Sequence, residues 1–288
     1  MAELFLTPFG EFGFMRRALV ACLALALGCG PVGVLLILRR MSLTGDAMAH
    51  AVLPGAAIGF LLAGMSLFAM GVGGLVAGLA VALLAGAVTR FTPVREDAAF
   101  AAFYLISLAL GVLIVSQNGS SIDLAHVLFG SILAIDNASL YLVASVATLS
   151  TLVMAAIYRP LIVECFDPGF LRAVGGGGLV YHFLFLVLVV GNLVAGFQAL
   201  GTLMAVGLMM LPAAAAQFWA GNVGSTMVLS VLIALASGWL GLLYSFHAGA
   251  PSGPAIVLTA GLFYGASVLI GVRGGVLRGL RPARHLTG

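Results

Sequence analysis

Two ionisable side chains sit one helical turn apart in the stretch RRMSLTGDAMAHAVLPG, residues 39–55. At i, i+4 spacing, Asp46 and His50 share one face of a helix. A carboxylate and a neutral imidazole can jointly hold a borderline divalent cation such as zinc or manganese. Both lie at the mouth of an apolar run, where an ionisable group points to function by default. The spacing also admits a plainer arrangement, in which Asp46 caps the second helix near the cytoplasmic face and His50 is a packing residue. Helical rise separates Asp46 from Arg40 by roughly 9 Å, less if the stretch is unwound.

Other polar residues are candidates of lower specificity. His247 lies beside the PSGP break at 251–254 and could be a second ligand or an interfacial histidine. His182, near the start of a span, carries the same two readings more weakly. Asp123, His126 and Asp136 fall in a polar stretch where a soluble delivery protein could dock, or where water simply solvates them. Met204, Met209 and Met210 could line a path, although core packing is the commoner use of methionine. Asp167 is a good N-cap and Pro168 suits the first helical position. The segment around Asp167, Pro168, Gly169 and Arg172 therefore reads as a short helix ended by a glycine run. It is either a plain connector or a surface that a motor subunit could push.

Absences narrow the chemistry. All 12 basic residues are Arg. A phosphate-binding GxxxxGK[ST] loop needs a Lys, so any ATP would be hydrolysed by another polypeptide. Neither an HExxH motif nor a GxSxG with a credible base is present. Cys22, Cys29 and Cys165 form no CxxC pair, and the first two read as packing residues.

The elements that must position these side chains are membrane helices. The chain has 288 residues, 62% hydrophobic and 7% charged, with 39 Gly. Soluble domains carry about 25% charge, and a spanning helix needs roughly 20 apolar residues. Spans are expected at 17–38, on either side of Gly64–Ser66 between Ala47 and Thr89, at 98–116 and at 138–158. Four more divide residues 179–272 at GFQALG (196–201), GNVGS (221–225) and HAGAPSGP (247–254). The reading is an all-α polytopic bundle of about nine spans, with eight as the fallback. A short extracytoplasmic helix is expected near 124–135 and a cytoplasmic one near 164–175. Arg placement puts the C-terminal tail, Arg159/Arg172, Arg90/Arg95 and Arg39-Arg40 in the cytoplasm, leaving Arg16-Arg17 on the opposite side. The modest positive charge reflects these loops and not a nucleic-acid surface.

The stretches RRMSLTGDAMAHAVLPG (39–55), REDAAFA (95–101), DLAHVLFGSILAI (123–135), FDPGFLRAVG (166–175), QALGTLMAVGLMMLPAAAA (198–216) and PSGPAIVL (251–258) occur in an order that resembles the membrane permeases of ATP-binding-cassette importers for zinc, manganese and iron. The resemblance implies a type II ABC importer fold over one permease domain spanning 1–288, in a bacterial inner membrane. It implies a homodimer, two cytoplasmic ATPase subunits and an extracytoplasmic metal-binding protein. Asp46 and His50 would lie on the metal path. The helix at Asp167, Pro168, Gly169 and Arg172 would be the coupling helix. No permanent cofactor is implied; Zn2+ or Mn2+ would be cargo. Many relatives carry an Asp just before the SGP element, where this chain has Gly249, Ala250 and Pro251. With His247 as the nearest polar side chain, that departure tilts the expectation mildly toward zinc, because manganese prefers oxygen ligands. The competing expectations are a proton-coupled carrier using Asp46, a permease for a metal chelate, and a haem-binding subunit using two of His50, His182 and His247.

Overall fold

The computed structural model describes residues 2–64, 66–117, 135–173 and 176–279. Every regular element among the described residues is a helix. In chain order these are α1 (Ala2–Glu11), α2 (Gly13–Leu38), α3 (Ser42–Ala51), α4 (Leu53–Ala63), α5 (Leu67–Phe91), α6 (Glu96–Gln117) and α7 (Asn137–Ala156). They continue with α8 (Tyr158–Phe166), α9 (Pro168–Ala173), α10 (Gly178–Leu200), α11 (Thr202–Gln217), α12 (Val223–Ala248), α13 (Ser252–Ile270) and α14 (Val276–Gly279). The short helix expected near 124–135 lies outside the described residues, apart from Ile135.

Among the described residues, eight helical stretches are long and apolar enough to cross a membrane, with α3 and α4 together forming one of them, Ser42–Ala63. The expected ninth crossing is α11, which has only 16 residues. At 1.5 Å per residue it covers about 24 Å, short of a hydrocarbon core of about 30 Å. Its start is cut by Gly201, whose φ of 88° only glycine adopts freely. The sequence expectation of about nine spans thus resolves into eight long helices and one short one.

The most enclosed helix is α2, which packs against α12, α11 and α7. Met15, Cys22, Leu25, Cys29 and Leu35 are buried along it, so the two cysteines are packing residues, as expected. Association inside a membrane depends on close packing and hydrogen bonds, since lipid is as apolar as Leu. Both are evident. A Cβ added at Gly33 would strike the backbone carbonyl of Met209. Gly55 and Gly59 of α4 face Gly73 and Ala69 of α5 with backbone against backbone. Buried Asn192 donates to Ser150 Oγ at 2.8 Å and to Leu188 O at 2.8 Å, tying α10 to α7.

The chain leaves α2 through a Schellman turn. Arg40 N–H donates to Ile37 O and Met41 N–H to Leu36 O, with Arg40 at φ 59°. That turn aims α3 back into the bundle and sets the position of Asp46 and His50.

The α4–α5 contact leaves no room for a side chain. Gly55→Val or Gly73→Val should destabilise the fold by about 1–3 kcal/mol, the usual effect of overpacking. Gly86→Ala, where an added Cβ meets nothing within 4 Å inside α5, should hold or raise the melting temperature in detergent.

Candidate functional site

Asp46 and His50 do share a face. Asp46 Oδ1 lies 3.8 Å from His50 Nε2. That separation is less than the sum of two metal–donor bonds of about 2.0–2.2 Å each, so one cation can touch both atoms. Side-chain exposure is 60% for Asp46 and 28% for His50, so the carboxylate is hydrated and the ring is largely enclosed. The alternative role of Asp46 as a helix cap does not hold. α3 begins at Ser42, with Met41 at its cap and no side-chain cap bond, which leaves Asp46 inside the helix.

The His50 ring packs on Tyr104, with centroids 5.6 Å apart. Its Nδ1 is buried and accepts or donates no hydrogen bond among the described residues. A ligating histidine usually has its other ring nitrogen fixed by a partner, and here ring packing alone orients it.

The pair stands just before a break in the span. Val52 joins α3 to α4, and Pro54 occupies the start of α4. Proline has no N–H to close the ladder onto residue 50. Ser107 of α6 donates to Ala51 O at 3.0 Å, satisfying a carbonyl beside the break. Discontinuous helices of this kind are where membrane transporters build ion sites.

A cavity of about 160 Å3 adjoins Asp46 but not His50, and its lining includes Thr44, Asp46, Asp97, Phe100 and Tyr104. From the sequence Asp97 reads only as a charge in a polar loop, yet it opens α6 and faces the same space as Asp46. A signal for this existed. Asp97, Phe100, Ala101, Tyr104, Ser107 and Gly111 follow helical spacing, and each of them meets α3, α4 or this cavity. Asp97 Oδ2 also lies 4.0 Å from Arg95 Nη2, an exposed pair of small energetic weight. Among the described residues, no group of three or more His, Cys, Asp and Glu side chains converges. Protein donors would therefore replace only part of a cation's hydration shell.

The remaining candidates separate. His247 is exposed, and its Nδ1 lies 2.9 Å from Leu243 O on its own helix; it does not join Asp46 and His50. His182 Nδ1 accepts from Arg39 Nη1 at 3.0 Å. Met204 and Met209 are fully buried, while the Met210 methyl abuts Gly45, next to Asp46. Asp123 and His126 lie outside the described residues. Asp136 accepts from Ser139 N–H at 2.9 Å and caps α7. These hydrogen bonds from Ser139 hold its carboxyl below the usual carboxylate range. Asp167 accepts from Phe170 N–H at 2.8 Å, capping α9 as the sequence indicates, with Pro168 and Gly169 opening the helix and Arg172 in its last turn.

A family model described as the ABC 3 transport family matches residues 11–271. The manganese import system permease protein ScaB of Streptococcus parasanguinis is 35% identical over 266 residues, covering 92% of this chain and 94% of its own length. The chelated iron transport system membrane protein YfeD of Yersinia pestis is 30% identical over 257 residues, covering 89% and 85%. Among solved structures, PsaBC from Streptococcus pneumoniae in complex with Fab is similar with a TM-score of 0.85 at 32% identity, over 96% of this chain and 99% of that one.

The Asp136 cap has a signed pH dependence. Its folded carboxyl is the stronger acid, so the stabilisation is present above the unfolded carboxylate pKa of about 4 and fades as pH falls through that range. Asp136→Ala should remove about 1 kcal/mol of local stability. Hydrogen exchange at the Ser139 and Leu140 amides should then speed up at neutral pH, whereas Asp136→Asn should keep most of the protection and lose its acid sensitivity.

Proposed function

This chain belongs to the ABC 3 transport family, and we propose that it is the membrane permease of an ATP-driven importer whose cargo is a divalent transition-metal ion. The carrying observation is the Asp46–His50 pair at the break of a discontinuous span. The working unit is a homodimer with two cytoplasmic ATPase subunits and an extracytoplasmic metal-binding protein, in a bacterial inner membrane.

Manganese is the favoured cargo, with zinc second. The tilt toward zinc rests on His247, whose imidazole instead engages its own helix. The cavity is lined by two carboxylates, Asp46 and Asp97, and manganese favours oxygen donors. The relative ScaB is named for manganese import. The chelate alternative, for which YfeD's name offers support, fits the cavity less well. The cavity is small, about 160 Å3, with room for a partly hydrated ion.

The cation sheds some of its water as Asp46 and neutral His50 replace it. With no group of three or more His, Cys, Asp and Glu side chains converging among the described residues, the site is shallow, and a shallow site releases what it binds. Closure of the ATPases displaces α9, which acts as the coupling helix through the surface carrying Asp167, Pro168, Gly169 and Arg172. Asp136, with Asp123 and His126, belongs to the face that receives the delivery protein.

The test is uptake of radioactive manganese into proteoliposomes holding permease and ATPase, with the manganese supplied on its metal-binding protein. Asp46→Ala or His50→Ala should lower uptake about tenfold or more, at least what loss of a metal-orienting group costs, with ATPase association intact. Normal uptake in either variant would overturn the ligand role. A chelated-iron competitor stronger than free Zn2+ would favour the chelate reading. Asp167→Ala combined with Gly169→Pro should leave ATP hydrolysis running while uptake falls, and unchanged coupling would count against α9.

A further inference from the structure

Arg39 ends α2 and is the last side chain before the Schellman turn into α3. Its guanidinium reaches across to the opposite flanks of α9. Nε donates to Cys165 Sγ at 3.1 Å, on α8, two residues before the Asp167 cap. Nη1 donates to His182 Nδ1 at 3.0 Å, on α10, just after α9. The Cζ atom sits 4.5 Å from the centre of the Phe185 ring, also on α10, and Phe185 is fully buried. One planar cation thus joins the segment before α9, the segment after it, and the joint from which α3 departs.

We propose that Arg39 is the strut that carries displacement of α9 to the helix bearing Asp46 and His50, an inference that rests on the transport reading above. Three features support a moving joint over a fixed plug. The guanidinium is held by a thiol, an imidazole and a ring face, each a weaker hold than a bidentate carboxylate. Nη2 is buried and makes no hydrogen bond among the described residues, which leaves a donor free for a second arrangement. The backbone next to it is held at a positive φ in a non-glycine residue, Arg40, a conformation that stores strain and concentrates at switch segments. Lysine keeps the charge but lacks the planar fork that spans α8 and α10 together. Arg39 is a positioning residue: it acts on the site through α3 and touches no cargo.

The experiment compares wild type with Arg39→Lys in proteoliposomes holding the ATPase and supplied with the manganese-loaded binding protein, recording manganese transported per ATP hydrolysed. In parallel, spin labels are placed through unnatural amino acids at Leu43 and Phe166, both exposed. In the wild type, the Leu43–Phe166 distance should stay constant between nucleotide-free and ATP-bound states, because the two segments travel together. In Arg39→Lys that distance should shift or broaden on ATP binding. Manganese carried per ATP should fall about fivefold or more, the low end of ordinary coupling between sites. His182→Ala, which leaves Arg39 in place but removes one acceptor, should move both readouts the same way by less. A purely structural Arg39 would lower hydrolysis and uptake in proportion, leaving the ratio and the distance as in wild type, and that result overturns the strut. Should Arg39→Lys fail to fold, wild-type values in His182→Ala overturn it equally. Absence of any uptake by the wild type would instead refute the transport reading.

Discussion

Inside a bilayer no water is available to satisfy a freed backbone carbonyl, and each one left bare costs several kcal/mol. Beside the interruption between α3 and α4, Ser107 meets that demand at Ala51 O. The rest of the site follows from this hydrogen bond. It fixes α6 against α3, and with α6 come Tyr104 against the His50 ring and Asp97 beside the cavity. Ala51 and Val52 are buried, so the break lies within protein, the condition under which irregular backbone survives at membrane depth.

The electrostatics of the pair suit passage better than storage. A resident metal site gathers enough donors to replace all the water it displaces, as structural zinc sites do with four. Here a carboxylate and an imidazole stand one turn apart, and no group of three or more His, Cys, Asp and Glu side chains converges among the described residues. In the proposed role, the exposed carboxylate would attract the dication, and its own hydration would moderate the attraction.

The legible part of this architecture is local. The i, i+4 spacing of Asp46 and His50 states their proximity outright, and the Asp167-Pro168 pair announces the start of α9. The unreadable part is long-range. Pro54 gives notice of a weakness in the span, but whether it kinks, breaks or is tolerated depends on Ser107, a residue on another helix. The cap role of Asp46 fails because Ser42 and Leu43 already continue the helix upstream, and apolar counting cannot detect a helix start that lies in polar sequence. Asp97 looks like loop charge beside Arg90, Arg95 and Glu96, although its periodicity with Tyr104 and Ser107 places it on the inner face of α6. His247 stands near the right motif in sequence, yet its own helix supplies the acceptor that turns it away.

The contact between Gly55 and Gly73 bears on how the span can move. With backbone pressed on backbone over two turns, α4 and α5 have no side-chain layer on which to slide. They must travel as one plate. The Ser42–Ala63 span changes helix at Val52, so a swing of the plate hinged there would change the angle at which the final turn of α3 presents His50.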